Sequence, residues 1–214
     1  MVSEDVFEYR DTRLKYLTRE PDAQPGCEKY PCIIYLHGAG SRGDAPWMIA
    51  NNGPLKAAAD GLKIPLRILA PLCPGPLWQA DMPLLIAFIR WAKTLPDVDA
   101  DRVSVTGVSL GGYGAWCVGR LIPGELAALV PVCGGGIYAC AGEYGSLPVR
   151  AYHGRLDTVV QLQESVKQVE AIRRAGGNAE LVIYGDCAHN AWTRTYADPE
   201  LYTWLSEQRV SARG

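Results

Sequence analysis

Runs of apolar residues recur along this chain, separated by polar, glycine- and proline-rich stretches, and their periods differ. Residues 6–17 alternate loosely between apolar and polar side chains, which predicts one or two antiparallel edge strands. "CIIYLHG" is continuously apolar, as expected of a strand buried on both faces. "LRILAPLCP" repeats that pattern and stops at prolines. Leu84, Phe88, Trp91 and Leu95 then recur at helical spacing behind Asp81 and Pro83, a combination that starts helices. "RVSVTG" predicts a strand, "GYGAWCVGRLI" a helix, and "ALVPVCGG" and "VRAYHG" two more strands. "QLQESVKQVEAIRRAGG" is an amphipathic helix closed by glycines. "AELVIYG" is the last predicted strand, and "DPELYTWLSEQ" a C-terminal helix. Strands alternating with helices, several of them buried runs, predict an α/β fold: a mostly parallel central sheet with helices on both faces.

Composition narrows the function classes. The 214 residues are 48% hydrophobic, enough for one sizeable core, so a single domain over 1–214 is expected. No repeat or linker divides the chain. The net charge of −2 is spread without a basic block, so neither a nucleic acid nor a membrane surface is an expected partner. The seven cysteines include no C-x-x-C pair, which predicts free thiols in a reducing compartment and no zinc site. "MVSEDVFEYR" is acidic and lacks an apolar signal core, and "PLLIAFIRWA" is too short to span a bilayer. A cytoplasmic location is the expectation.

The chemistry gathers around Gly107-Val108-Ser109-Leu110-Gly111. It fits G-x-S-x-G, with the required strand before it and helix after it. A serine in such an elbow takes strained backbone angles, so its neighbours must lack bulk. The turn also sets backbone N–H groups beside the hydroxyl. The spacing gives neither a dinucleotide fingerprint nor a phosphate loop. A serine nucleophile needs a base, and the chain has only three histidines. Elbow enzymes run nucleophile, acid, base along the chain. That order selects His189 in "GDCAHNAW" and leaves His37 and His153, each ending a buried strand, to packing and loop bracing. Asp157, in "HGRLDTVV", is the expected acid. Glu143, in a loop before the strand, and Glu164, within a helix, are its rivals; Asp186, close to His189 in sequence, reads as a solvated loop carboxylate. The oxyanion hole is expected from the N–H of Leu110 and of Ala39 in "HGAGSRGD", with Gly40 next to it as the alternative. "DVDADRV" lacks the glycine and distant glutamate of a calcium loop and reads as a solvated turn. "CGGGIY" reads as a flexible strand-exit loop.

"LHGAGSRGD", "APLCP…W", "DADRVSVTGVSLGGYGAW", "PVRAYHGRLDTVV" and "AHNAW…YADPELYTWL" follow one another through most of the chain. Together they resemble the α/β-hydrolase superfamily, in particular the small carboxylesterase group related to dienelactone hydrolases, polyhydroxybutyrate depolymerases and prolyl-oligopeptidase-like peptidases. The resemblance implies an α/β-hydrolase fold, a triad of Ser109, Asp157 and His189, and an oxyanion hole at Ala39 and Leu110. Such relatives often read G-H-D-x-W around the base; this chain has Ala188 and Asn190 there and keeps His189 and Trp192. The expected activity is hydrolysis of small carboxylic esters through an acyl-enzyme, with no metal or organic cofactor. A small-peptide peptidase, a thioesterase and a non-catalytic binding protein are the alternatives. The span 134–147 is too short for a helical lid, so an open site for short acyl groups is expected, with Trp78, Tyr138 and Trp192 as substrate-binding walls.

Overall fold

A computed structural model describes residues 1–23, 26 and 28–213 of the chain. Cys27 therefore lies outside the described residues, whereas Cys32, Cys73, Cys117, Cys133, Cys140 and Cys187 are free thiols. The strands are β1 (Val2–Tyr9), β2 (Thr12–Arg19), β3 (Tyr30–Leu36), β4 (Arg67–Pro71), β5 (Val98–Val108), β6 (Leu129–Val132), β7 (Val149–Gly154) and β8 (Ala179–Tyr184). They form one eight-stranded sheet in the order β1-β2-β4-β3-β5-β6-β7-β8. Only the contacts of β2 are antiparallel, with β1 and with β4; from β4 to β8 every pairing is parallel. This is the mostly parallel α/β sheet that the sequence pattern predicts, in the architecture that the resemblance to α/β-hydrolases implies.

The helices are α1 (Gly53–Ala59), α2 (Met82–Ala92), α3 (Leu110–Leu121), α4 (Leu162–Arg174), α5 (Ala191–Ala197) and α6 (Pro199–Glu207). The start of α2 is as its sequence indicates, with the Asp81 side chain accepting from Leu84 N–H. Successive β3 side chains divide between two cores. Cys32, Ile34 and Leu36 join residues of α2, α3 and α4 on one face, and Ile33 and Tyr35 join α1, α5 and α6 on the other. Both faces are thus covered, which explains the unbroken apolar runs in the central strands.

One segment departs from expectation. Val98–Asp101, read as a solvated turn, forms the start of β5. Its aspartates have fixed partners. Asp99 pairs with Arg102 at 2.7 Å, and Asp101 accepts from Ser211 N–H at 2.8 Å. The Ser211 bond ties the C-terminal tail to the strand, and the two carboxylates face donors of the protein while keeping their charge.

Strand order also locates the site. The connection from β3 leads to β4 on one side, whereas β5 leads to β6 on the other. A sheet that winds both ways leaves a crevice beyond the carboxyl ends of the strands at that reversal. The loop after β3 and the elbow after β5 both end there. They also pack closely: a Cβ on Gly111 would collide with the Leu36 carbonyl. Gly111→Ala is therefore expected to cost at least about 3 kcal/mol, the upper end for overpacking, because backbone cannot swing aside. Thermal unfolding against wild type checks this; an unchanged Tm would refute the packing argument.

Candidate active site

The elbow takes the conformation that its glycines imply. Ser109 has φ 51° and ψ −112°, a region where side-chain-bearing residues are strained. Neighbouring strands hold it there. Ser109 N–H donates to the Val132 carbonyl at 2.9 Å, and Tyr113 N–H donates to the Ser109 carbonyl at 3.0 Å, starting α3. The side chain is consequently lifted above the sheet and half-buried.

Two loops close over it from the far side. Gly154, at the end of β7, passes so close to Cys187 and Ala188 that any Cβ would overlap their carbonyls. Arg155 N–H donates to the Tyr184 carbonyl and Leu156 N–H to the Cys187 carbonyl, both at 2.9 Å. The segment after β7 is thereby zipped to the segment after β8. Asp157 and His189 meet as a result: Asp157 Oδ2 lies 2.7 Å from His189 Nδ1. His189 Nε2 in turn lies 2.9 Å from Ser109 Oγ. A carboxylate only accepts, so Nδ1 carries the proton and Nε2 accepts from the serine hydroxyl. The other carboxylate oxygen, Oδ1, accepts from the N–H groups of Val159 and Val160, both at 2.9 Å. Burial alone would raise the Asp157 carboxyl. The bonds from His189, Val160 and Val159 outweigh it and hold the group below the usual carboxylate range.

The rival carboxylates and Asp186 stand elsewhere. Glu143 is bonded to Arg120 and Asp186 to Arg194. Glu164 lies beside Gly135 and the Tyr113 ring. Asn190, where relatives often carry aspartate, caps α5 by accepting from Thr193 N–H at 3.3 Å.

Leu110 is the first residue of α3, whose N–H has no acceptor within the helix. A Cβ on Gly38 would stand 3.7 Å from Ser109 Cβ, so the Ala39 loop abuts the nucleophile. Within that turn Ser41 and Arg42 N–H donate to the Gly38 and Ala39 carbonyls, which leaves the exposed Ala39 amide outside these bonds. His37 braces this loop. Its Nε2 accepts from Cys73 N–H at 2.9 Å, and its Nδ1 donates to the Gly38 carbonyl at 2.8 Å.

Of the three aromatic walls, Trp78 requires correction. It is only 2% exposed, lies in the core, and donates from Nε1 to the His37 carbonyl at 3.0 Å. Its ring packs edge-on against His37, so it supports the loop from beneath and offers no face to a ligand. Trp192 stands perpendicular to the His189 ring, centroids 5.4 Å apart. Its Nε1 donates to Asn52 Oδ1 at 3.2 Å, and it lines a cleft of about 420 Å³ with Asn52, Lys56 and Tyr196. Tyr138 and Ile137 are each more than half exposed on the span after β6, whose one helical element is the short 3₁₀ segment Tyr138–Tyr144.

Two neighbours were not anticipated from sequence. Cys133, at φ 41° just past β6, is buried beside the acid and base, and burial pushes its thiol up to about 12. With Asp157 and His189 it forms the one set of potential metal donors among the described residues, within 4.8 Å of one another. Asp157 and His189 already satisfy each other, and the thiol holds its proton. His153 is the second neighbour: Nε2 lies 3.3 Å from Asp157 Oδ2.

Known proteins place this geometry in a family. No curated protein sequence matches the chain. Among solved structures, a thermostable esterase is 27% identical with a TM-score of 0.81; the match covers 97% of this chain and 63% of that one. The chain thus spans under two thirds of that esterase's length. Est1E from Butyrivibrio proteoclasticus matches at 16% identity and TM-score 0.70, covering 95% of this chain and 96% of that one. The acylaminoacyl peptidase of Pyrococcus horikoshii matches at 16% and 0.66, covering 97% of this chain and 41% of that one. No helix among the described residues is long and apolar enough to cross a membrane. The dienelactone hydrolase family model matches residues 79–208, which contain the elbow, the acid and the base, and the chain belongs to that family.

Proposed function

We propose that the chain is a serine hydrolase that cleaves small carboxylic esters. The observation that carries this reading is the unbroken hydrogen-bond chain from Ser109 through His189 to Asp157, at 2.9 and 2.7 Å, on a strained elbow. In this mechanism His189 Nε2 takes the proton of Ser109 as the hydroxyl attacks the ester carbonyl. The carbonyl oxygen becomes an oxyanion facing the N–H groups of Leu110 and Ala39. His189 protonates the departing alcohol and leaves an acyl-enzyme. Water, deprotonated by the same imidazole, then releases the acid and restores the serine. Every step uses side chains and backbone of this chain.

Turnover of aryl esters, thioesters and dipeptide amides, together with fluorophosphonate labelling of Ser109, tests the reading. Labelling with ester turnover supports it. Preference for thioesters or amides would move it to the alternative hydrolases, and absence of labelling would leave a binding protein.

Asp157 is expected to add no proton of its own to the acid limb of kcat/KM. Asp157 is held below the usual carboxylate range, so it stays ionised through the pH range in which a histidine titrates. For the same reason its contribution to stability is present above the unfolded carboxyl value and is lost only as pH falls through the lower folded value. A limb steeper than one proton would show that the acid titrates with the base.

Acyl length should matter only briefly. Each enclosed methylene contributes about 0.8 kcal/mol, roughly four-fold in kcat/KM. Tyr138 and Trp192 can supply partial walls, and the short span after β6 carries no helical lid. Acetyl to butyryl esters are therefore the expected optimum, without activation at a lipid–water interface. A steady rise of kcat/KM toward palmitoyl esters would overturn the open-site reading.

A further inference from the structure

An acyl transfer at Ser109 fixes where the two halves of an ester lie. The carbonyl oxygen turns toward Leu110 and Ala39 N–H. The leaving oxygen must stand within hydrogen-bond reach of His189 Nε2, because that nitrogen hands it a proton. The alcohol half therefore lies on the side of His189, and the acyl half on the side away from it.

On the side of His189 the fold carries a cleft. Trp192 joins the two: its ring stands perpendicular to the imidazole, centroids 5.4 Å apart, and it lines the space of about 420 Å³ between α1 and α5. Clefts that hold small organic ligands measure roughly 300–1,000 Å³. The lining extends from Asn51 and Asn52, ahead of α1, to Gly61 and Leu62 behind it, so the space follows α1 along its whole length.

Two kinds of surface meet in this lining. Ala57, Leu62 and Ala197 offer carbon. Tyr196 does the same, because its hydroxyl is committed to Thr106 Oγ1 at 2.7 Å inside the core. Asn52, Lys56, Asp60 and Thr193 supply polar groups. An indole N–H only donates, so the 3.2 Å bond from Trp192 uses the amide oxygen of Asn52 and leaves its NH₂ as a donor. Lys56 and Asp60 are bonded to each other across one turn, and both side chains are at least half exposed. Their charges cancel, so the cleft favours neither an anion nor a cation. What suits it is a neutral group with hydroxyls at its edge and C–H surface on its faces.

We propose that this cleft holds the alcohol half of the substrate, and that the alcohol is a polyhydroxylated ring of glycoside size. The proposal rests on the serine-hydrolase reading above and names its substrate class: short acyl esters of sugar hydroxyls. Trp192 then serves the alcohol, whereas Tyr138, on the span after β6, stays with the acyl group.

The second half-reaction makes the cleft measurable. Water there stands where the alcohol stood, and an alcohol seated in the cleft takes its place. The bond from Ser109 Oγ to the acyl carbon breaks and a bond from that carbon to the alcohol oxygen forms. The alcohol proton passes through His189 to Ser109 Oγ. Partition of the acyl-enzyme between water and an added alcohol is independent of how fast the acyl-enzyme forms and of how much protein is active.

The test generates the acetyl-enzyme from nitrophenyl acetate in the presence of methyl glucoside or of tetrahydropyranylmethanol. The second alcohol has the same ring and CH₂OH group without the ring hydroxyls. Chromatography measures acetylated alcohol against free acetate. Methyl glucoside should capture acetyl groups roughly ten-fold better at equal concentration, the effect of one or two net hydrogen bonds. Lys56→Trp, an exposed position that puts bulk into the cleft, should bring the preference to about one. Lys56→Met, which keeps the length and removes the donor, should lower it only in part. Equal capture of the two alcohols by wild type, better capture of the bare ring, or a preference that survives Lys56→Trp would overturn the proposal. Release of acetate with no capture of either alcohol would overturn it too and leave the hydrolase reading standing. A wild type that neither releases nitrophenol nor reacts with a fluorophosphonate would overturn the hydrolase reading and the cleft's role with it.

Discussion

Ser109→Ala is expected to abolish ester turnover and to leave the fold intact. Loss of a triad nucleophile costs on the order of a million-fold in kcat, because attack by water alone must replace a covalent step. The fold should survive because the bonds that shape the elbow are backbone bonds, from Ser109 N–H to Val132 and from Tyr113 N–H to Ser109. The only side-chain bond lost is the 2.9 Å contact with His189. The backbone at this position has φ 51° and ψ −112°, so alanine inherits the strain of serine. Ser109→Gly removes it and should be about 1 kcal/mol more stable than Ser109→Ala while equally inactive. Turnover and thermal unfolding of the two variants check both halves of the argument. More than a few per cent of wild-type turnover in Ser109→Ala would remove Ser109 as the nucleophile. Equal stability of the pair would show that the elbow is unstrained.

Much of this was legible in the chain, for physical reasons that particular residues show. Strands such as "CIIYLHG" announce themselves because both faces of a doubly covered sheet demand apolar side chains. The elbow is legible because its angles exclude bulk, and Gly107 and Gly111 record that exclusion around Ser109. Asp157 and His189 could be chosen from chain order, although their meeting depends on a zipper of backbone bonds that no side-chain pattern encodes. Other features left no trace. Helix α1, "GPLKAAA", is short and carries little periodicity. Val98–Asp101 looked solvent-bound because its partners, Arg209 and Ser211, are about a hundred residues away in sequence. Trp78 is an aromatic near the site in sequence terms, and only packing tells that its indole N–H points into the molecule at the His37 carbonyl.

Asp157→Asn should lower kcat by roughly ten-thousand-fold, the scale seen when a triad histidine is left in the wrong tautomer. Here the neighbours dictate which way the amide turns. Val159 and Val160 N–H both donate to Oδ1, so the amide carbonyl must stay with them. The amide NH₂ is then forced onto the side of His189. It can only donate, so His189 Nδ1 must become an acceptor and the ring proton moves to Nε2. Nε2–H then faces Ser109 Oγ and cannot take its proton. The variant should therefore bind substrate with little change in KM and fail in the chemical step. Turning the amide over would restore the tautomer only by setting NH₂ against two backbone N–H groups, a buried clash of donors. Glu143→Gln and Asp186→Asn, whose carboxylates are bonded to Arg120 and Arg194, should keep kcat within about two-fold, as surface changes remote from the reacting atoms do. Steady-state kinetics of the three variants decide the assignment: a crippled Glu143→Gln beside an active Asp157→Asn would move the acid off Asp157.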